Sequence, residues 1–331
     1  MTPIKPATRY PDLDDPQARP RYTGIPTFFR TPHTEALGEV DIGLIGVPFD
    51  GGVTNRTGAR HGPRAVREQS ALLRRFNGAT GVAPFAGARV RDLGDCWIEF
   101  PYALEGALDE IAAFYRGVLG AGVVPVSVGG DHSVSLPILR AFGAARGDGA
   151  RLGMVHIDAH GDTGDDYMGS RFHHGAPFRR AVEEGLLDPA RVVQIGLRGT
   201  TNDPALWAFS TESGMRVIGM DAFQDQGWQA AAAAAREVIG AGPAYLTFDI
   251  DSLDPAEAPG TGTPEAGGIT MREALRLLRA LRGLDFVGAD LVEVSPPFDV
   301  GGITAFNGAS VLFELLCLVA EAWEARRAGI G

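Results

Sequence analysis

A short apolar run that ends in three potential metal ligands constrains this chain more than any other feature. The run over residues 152–157 is followed by Asp158, His160 and Asp162 in the segment DAHGD. Residues at positions i, i+2 and i+4 of an extended segment point to one side. Two carboxylates and an imidazole then converge where a buried strand meets its loop, which is unfavourable unless a cation lies among them. The segment therefore predicts a site for a divalent metal ion.

Composition limits the class of protein and its partners. The 331 residues are 45% hydrophobic and carry a formal net charge of −11. Such a chain is globular, and the negative charge argues against a general binder of nucleic acids or anionic membranes. Cys96 and Cys317 form no CxxC motif, and the N-terminus has no apolar segment typical of a signal peptide. These features predict a cytoplasmic protein. The apolar segment 310–323 is too short between its charges to span a bilayer and is predicted to be a buried helix.

Apolar strands alternate with helices along most of the chain. The predicted strands cover residues 40–48, 88–93, 123–128, 152–157, 192–197, 216–220, 244–250 and 286–294. The predicted helices cover residues 63–75, 104–119, 136–145, 176–185, 204–213, 229–239, 271–281 and 304–327. This alternation predicts an α/β fold with a parallel sheet covered on both faces, either closed or open. Residues 1–38 show no period and are predicted to form an irregular N-terminal arm, and residues 39–331 a single catalytic domain.

Three further strands also end in acidic or imidazole side chains. His132 follows one strand in GGDHS, Asp249 and Asp251 follow another in FDIDSLDP, and Glu293 ends a third. The potential ligands are His132, Asp158, His160, Asp162, Asp249 and Asp251. Six ligands are too many for one ion, and hydrolytic sites often hold two ions about 3.5–4 Å apart. This oxygen-rich set favours Mn²⁺, and water held between two such ions becomes a nucleophile. The prediction is metal-assisted hydrolysis.

Three of these segments resemble the signature sequences of the ureohydrolases, the family of arginases, agmatinases and guanidino-acid hydrolases. They are GGDHS (129–133), DAHGD (158–162) and FDIDSLDPAEAPGTGTPE (248–265). The resemblance continues over nearly the whole chain, from IPTFFR (25–30) to EVSPPFDVGG (293–302). It implies a three-layer α/β/α sandwich around a mostly parallel sheet of about eight strands. It also implies hydrolysis of a guanidino compound to urea and an amine.

The resemblance assigns a role to each site residue. His132, Asp158, Asp162 and Asp249 would hold one metal ion, and Asp158, His160, Asp249 and Asp251 would hold the other. A hydroxide between the ions would attack the guanidinium carbon, and Asp162 would accept a hydrogen bond from it. Glu293 resembles the carboxylate that pairs with the guanidinium group, and His174 in FHHGAPF resembles the proton shuttle. The implied cofactors are two Mn²⁺ ions per subunit, with Ni²⁺ as an alternative, and the implied assembly is a homo-oligomer, either a trimer or a hexamer.

The choice of guanidine stays open at the level of sequence. The segments fit the guanidinopropionase and guanidinobutyrase branch best, which predicts a guanidino acid such as 3-guanidinopropionate or 4-guanidinobutyrate. Gly161 and Gly164 depart from the residues usual in the family, and Asp165 and Asp166 add negative charge beside the site. A shifted loop in which Ser170 or backbone amides bind the substrate anion would accommodate these changes. The alternative is a substrate without a carboxylate, namely agmatine, guanidine, an N-alkylguanidine or a biguanide.

Three other classes of protein are compatible with parts of the pattern. A non-catalytic subunit of a ureohydrolase assembly would normally lack a metal ligand, whereas all six ligands are present here. A deacetylase-type hydrolase of acylated polyamines would have a single-metal ligand set and different Tyr and His motifs. A metal-storage protein would not need Glu293 and His174 beside the ions. The enzymatic interpretation therefore accounts for more of the sequence.

Overall fold

The computed structural model describes residues 20–147, 151–201 and 205–329 of the chain. A single sheet of eight strands runs through this part of the molecule. The strands are β1 (Ile42–Gly46), β2 (Val90–Asp95), β3 (Val124–Val128), β4 (Leu152–Ile157), β5 (Leu187–Leu197), β6 (Arg216–Gly219), β7 (Ala244–Asp249) and β8 (Phe286–Val292). Their order is β2-β1-β3-β8-β7-β4-β5-β6, and every neighbouring pair is parallel. The sheet is therefore open, with β2 and β6 at its edges.

Helices cover both faces of the sheet. They are α1 (Gly62–Ser70), α2 (Pro84–Gly87), α3 (Leu104–Gly120), α4 (Ser135–Arg146), α5 (Pro177–Glu183), α6 (Ala205–Glu212), α7 (Met220–Ile239), α8 (Met271–Ala280) and α9 (Ile303–Arg327). Helices α1, α7, α8 and α9 share one apolar cluster with the sheet, and α3, α4 and α5 share a second. The predicted three-layer α/β/α sandwich is confirmed.

The strands are largely apolar because most of them contribute side chains to both clusters. In β4, Val155 and Ile157 belong to the cluster on the α9 side, whereas Leu152 and Met154 belong to the cluster on the α4 side. All six residues of β4 are buried. A strand that is covered on both faces gains stability from apolar side chains at every position, so it shows no alternation with polar residues.

Three predicted elements differ from the structure by five residues or more at one end. Helix α1 ends at Ser70, five residues before the predicted end, and β5 begins at Leu187, five residues before the predicted start. Helix α7 begins at Met220 and is broken at Gly227, which has φ +80°. The sequence prediction included only the part of α7 after this break. A left-handed glycine interrupts the helical hydrogen bonding, so the two segments have separate sequence patterns.

The N-terminal arm packs on the body of the protein where the structure describes it. Residues 1–19 of the predicted arm lie outside the described part of the chain. Farther along, Phe28 and Phe29 are buried, and the Phe28 N–H donates to Asp92 Oδ2 at 2.8 Å. These contacts join the arm to the sheet, and the division of the chain at residues 38 and 39 stays a prediction.

The C-terminal helix α9 is a core element. Among the described residues it is the one helix long and apolar enough to cross a membrane, and 83% of its most apolar window is buried within the protein. Its side chains pack against α1, α8 and β8. This burial agrees with the predicted internal helix and accounts for its hydrophobicity.

Candidate metal centre and active site

The predicted ligands lie together because their strands are neighbours in the centre of the sheet. The order β3-β8-β7-β4 brings four strand ends to one edge, although these strands are far apart in the chain. The carboxyl ends of parallel strands form the usual binding edge of such sheets. Strands β3, β4 and β8 are followed by predicted polar segments that begin at Asp131, Asp158 and Glu293, and β7 ends in Asp249.

His132 lies at the centre of the first group of ligands. Its Nδ1 atom is 2.9 Å from Asp162 Oδ2, 3.1 Å from Asp249 Oδ2 and 3.2 Å from Asp158 Oδ2. None of these contacts has hydrogen-bond geometry, although the nitrogen is fully buried. On the other side of the ring, Nε2 is 2.9 Å from Thr247 Oγ1. A nitrogen that faces three carboxylate oxygens without a hydrogen bond is well placed to share a cation with them.

Asp158 also belongs to a second group of ligands. His160 Nδ1 lies 3.1 Å from Asp251 Oδ2 and 3.5 Å from Asp158 Oδ1. The two groups that could hold a metal ion overlap at Asp158, since its Oδ2 atom faces His132 and its Oδ1 atom faces His160. Asp249 contacts the first group through Oδ2, and its Oδ1 accepts the Asp251 N–H at 2.8 Å. All six predicted ligands are therefore brought together.

Electrostatics indicate that this cluster lacks positive charge. Burial and the adjacent Asp251 and Asp158 carboxylates raise the pKa of Asp249 well above its usual range. Burial and Asp158 likewise raise the pKa of Asp251 to about 6. Although burial opposes the charged form of His132, the surrounding carboxylates hold its pKa well above the usual value. Carboxylates that repel one another in a buried site bind divalent cations well. A bound cation removes the repulsion between them and compensates the cost of burying their charges.

Glu293 and His174 form an ion pair beside the cluster. His174 Nδ1 lies 2.8 Å from Glu293 Oε1, which also accepts the His132 N–H at 3.0 Å. The other carboxylate oxygen, Oε2, is buried and has no hydrogen-bond partner among the described residues. Burial would lower the pKa of His174, but Glu293 outweighs this effect and raises it to about 9.

Two of the site residues have a left-handed backbone. Asp162 has φ +49° and Glu293 has φ +64°. This region disfavours residues other than glycine by roughly 1–2 kcal/mol. Glu293 is held there because its N–H donates to Gly130 O at 2.8 Å, and the Asp162 carbonyl accepts the Phe178 N–H at 3.1 Å. Strain of this kind is common at functional sites, where the fold determines the direction of a side chain.

A pocket of about 390 Å³ opens beside the cluster. Its wall contains Asp162, Asp249, Asp251, Glu293 and His174, and its rim contains Thr54, Asp165, Asp166, Tyr167, His173, Thr200 and Trp207. A cavity of this size accommodates a small organic substrate. The cluster and the ion pair are therefore open to a substrate from one side.

The two extra acids in the loop after Asp162 have partners outside the pocket. Asp165 forms ion pairs of 2.7 Å with Arg180 and 3.0 Å with Arg179. Asp166 Oδ1 accepts the Gly169 N–H at 2.9 Å. The negative charge of Asp165 is thus largely compensated. The suggested anion partner Ser170 is not at the pocket wall: its hydroxyl donates to Phe172 O at 2.9 Å.

Four residues around the site were not singled out from the sequence. His156 contacts Asp158, Thr247 contacts His132, Gln194 contacts His156, and Arg198 binds backbone carbonyls of the Asp251 segment. His156 and Thr247 precede Asp158 and Asp249 by two positions, so strand alternation alone would have placed each pair on one face. No local sequence pattern predicted a role for Gln194 or Arg198, because the site residues that they contact, His156 and the Asp251 segment, are distant in the sequence.

The fold and the site define the class of this protein. It is an α/β protein with a buried carboxylate and imidazole cluster that could hold metal ions at the carboxyl edge of a parallel sheet. The chain belongs to the arginase family, whose model matches residues 40–317. It is therefore a ureohydrolase, a hydrolase of C–N bonds in linear amidines.

Individual relatives match almost the full chain. A guanidinopropionase of Pseudomonas aeruginosa is 56% identical over 94% of this chain and 97% of its own length. A guanidinobutyrase of the same organism is 46% identical over 91% of this chain and 94% of its own length. The structure of proclavaminate amidinohydrolase from Streptomyces clavuligerus superimposes with a TM-score of 0.87 at 41% identity, covering 92% of this chain and all of that one. The resemblance to the ureohydrolases is confirmed.

Proposed function

We propose that this protein hydrolyses a guanidino acid, such as 3-guanidinopropionate or 4-guanidinobutyrate, to urea and an amine. The observation that carries the proposal is the cluster of six ligands, four of which line one pocket together with Glu293 and His174. The guanidinopropionase and guanidinobutyrase of Pseudomonas aeruginosa support the choice of substrate, because both resemble this chain over more than nine-tenths of its length.

The donor set fits two divalent ions. We assign one ion to His132, Asp158, Asp162 and Asp249, and the other to Asp158, His160, Asp249 and Asp251. The contacts of Asp158 with both histidines support its shared role. Oxygen-rich sites with few imidazoles favour Mn²⁺, and Ni²⁺ is the alternative. Bound ions would lower the pKa of a water molecule and so supply the nucleophile.

Glu293 orients the guanidinium group in this proposal. Its Oε1 atom is already used by His132 N–H and His174, whereas Oε2 has no partner among the described residues and the side chain lines the pocket. A carboxylate oxygen without a donor in a buried site favours a planar cation with several N–H groups. Glu293 would therefore bind the guanidinium group through Oε2 and hold its carbon toward the ligands.

His174 is suited to carry a proton to the leaving amine. In the metal-free protein Glu293 raises the pKa of His174 to about 9, so the ring there holds a proton at neutral pH. Its Nε2 atom lies 2.9 Å from Thr54 Oγ1 and 3.3 Å from the Thr54 backbone nitrogen. The hydroxyl can accept from the protonated ring, and the hydroxyl or the N–H can donate to the neutral ring. The backbone N–H satisfies only the ring without a proton on Nε2, so these contacts suit a ring that gives up its Nε2 proton. Asp162 would accept a hydrogen bond from the nucleophile while it ligates.

One observation favours a second candidate, a substrate without a carboxylate such as agmatine or guanidine. The arginine among the described lining residues, Arg198, donates to Asp251 O at 2.8 Å and Ser252 O at 3.1 Å, among other carbonyls. Its guanidinium group is therefore not directed at a substrate anion. A guanidino acid would instead be held by neutral donors at the rim, such as the hydroxyls of Tyr167 and Thr200.

The cellular setting forms part of the same proposal. Both cysteines are buried and unpaired, and burial raises the pKa of each thiol to about 12. Unreactive thiols without a disulfide are consistent with the cytoplasm. We also propose a homo-oligomer, a trimer or a hexamer, which light scattering of the purified protein would distinguish.

A panel of guanidines tests the function and the substrate together. The protein, loaded with Mn²⁺ or Ni²⁺, is incubated with 3-guanidinopropionate, 4-guanidinobutyrate, agmatine, arginine, guanidine and dimethylguanidine, and urea is measured. We expect the highest kcat/KM with one of the two guanidino acids. Asp158→Asn should abolish urea release, whereas Asp109→Asn on the exposed surface of α3 should not. Highest activity with agmatine or guanidine would favour the second candidate, and no urea from any compound would refute the enzymatic function.

A further inference from the structure

A row of buried polar side chains crosses the sheet beneath the metal ligands. Strand pairing aligns Ser127 with Asp290, Asp290 with Thr247, Thr247 with His156, and His156 with Gln194. All five side chains are fully buried. Buried polar groups in a sheet are unfavourable unless they are bonded to one another or to a functional group. Their position directly before the strand ends suggests a connection with the ligands.

His156 is the member of this row that touches a shared ligand. Its Nε2 atom lies 2.7 Å from Asp158 Oδ2. This is the oxygen that faces His132, and the other oxygen of the same carboxylate faces His160. A hydrogen bond to Oδ2 fixes the rotation of the carboxylate, and so determines which oxygen faces which histidine.

Gln194 determines which nitrogen of His156 carries the proton. Gln194 Nε2 lies 2.6 Å from the carbonyl oxygen of Gly161, which can only accept a hydrogen bond, and 3.0 Å from His156 Nδ1. The amide nitrogen therefore donates to both atoms. His156 Nδ1 is then an acceptor, so in the neutral ring the proton is on Nε2 and is donated to Asp158.

The same hydrogen bonds also include the loop that carries two other ligands. Gly161 lies between His160 and Asp162 in DAHGD, and its carbonyl is held by Gln194. The ring of Phe178 packs 4.5 Å from the ring of His156 and restricts its movement. The orientation of Asp158 and the position of its loop are therefore determined by one connected set of contacts.

We propose that His156, held in its Nε2–H tautomer by Gln194, is a positioning residue that orients the Asp158 carboxylate between two metal ions. The proposal rests on the dinuclear site in the proposed function. It also accounts for the histidine in an otherwise apolar strand. His156 is close enough to the cluster to be a ligand itself, but a ligand nitrogen must be unprotonated, and the Gln194 contact places the proton on the nitrogen that faces Asp158.

Metal binding by matched variants tests this role without any substrate. His156→Gln retains an amide N–H near the position of Nε2, whereas His156→Met has similar length and no donor. Isothermal titration calorimetry of the metal-free proteins measures their Mn²⁺ affinity. His156→Met should bind Mn²⁺ about 10–100-fold more weakly than the wild type, which is the usual loss when a hydrogen-bond partner of a metal ligand is removed. His156→Gln should stay within about threefold of the wild type by the same measure. Equal affinities of the two variants would overturn the proposal.

Two further measurements separate positioning from a purely structural role. Gln194→Met should also bind Mn²⁺ more weakly than the wild type. This variant tests the proposal independently of whether His156→Met folds. Nitrogen-15 NMR of histidine-labelled, metal-free protein should show His156 protonated on Nε2, and in Gln194→Met this preference should be reduced. A proton on Nδ1 in the wild type would contradict the assignment. Because none of these readouts involves urea, a failure of the guanidine panel would not be confused with a failure of this inference.

Discussion

At the scale of single residues, the ion pair between His174 and Glu293 makes a prediction about pH. The folded protein holds the His174 pKa near 9, above the ordinary value of 6.5. The pair therefore stabilises the fold fully below about pH 6.5, and this contribution is lost as the pH rises through about 9. The difference in pKa corresponds to a stabilisation on the order of 3 kcal/mol.

Urea unfolding of chelator-treated protein between pH 6 and pH 9.5 measures this contribution. The wild type should lose stability relative to Glu293→Gln across this interval, because the variant lacks the carboxylate that raises the His174 pKa. Groups whose pKa does not depend on Glu293 affect both proteins equally and cancel in the comparison, and Asp131, whose pKa burial and Glu293 raise to about 6, contributes mainly below pH 7. Parallel stability profiles for the two proteins would show that the pair does not titrate as expected.

At the scale of a structural element, the loop from Asp158 to Gly175 forms one wall of the pocket. Two of its glycines occupy different environments. A Cβ atom on Gly164 would lie 2.9 Å from Gly175 O and 3.2 Å from the His173 ring. A Cβ atom on Gly161 would meet its neighbours at 3.4 Å or more, which is ordinary contact. Gly164 is therefore required by the packing of the loop, whereas Gly161 is not.

Alanine at each position tests this difference. Gly164→Ala should destabilise the metal-free protein by about 1–3 kcal/mol, the usual range for an added group in a filled space. Gly161→Ala is the matched control and should change the free energy of unfolding by less than about 0.5 kcal/mol. Urea unfolding at neutral pH measures both. Equal destabilisation by the two alanines would contradict the predicted difference in packing between Gly164 and Gly161.

At the scale of the whole molecule, the sheet order holds repelling carboxylates together, so metal binding should stabilise the entire fold. Saturation of one site at a hundred times its dissociation constant adds about 2.7 kcal/mol to the free energy of unfolding. Calorimetric unfolding with MnCl₂ and with a chelator should therefore differ by several degrees. Asp158→Asn should remove most of the difference in melting temperature between the Mn²⁺-loaded and the chelated protein, and Asp109→Asn should retain it. An unchanged melting temperature for the wild type would contradict a metal site in this cluster.

Much of this molecule could be predicted from local patterns. The alternation of apolar strands with helices predicted the eight strands and the two covering layers, because a strand buried on both faces is largely apolar. Polar residues directly after such strands predicted the six ligands, since charge at a buried strand end needs a cation. The segment DAHGD was sufficient to locate Asp158, His160 and Asp162, and FDIDS to locate Asp249 and Asp251.

The tertiary structure alone decided how these segments combine. The order β3-β8-β7-β4 depends on crossovers between distant strands, so local patterns did not reveal which ligands would be neighbours, and only the family resemblance implied their grouping. The contacts of His156 with Gln194 depend on strand register. The compensation of Asp165 by Arg179 and Arg180 depends on how α5 packs against the loop. The chemistry of the site follows from residue type and spacing, whereas its orientation and local charge depend on contacts between residues that no local pattern relates.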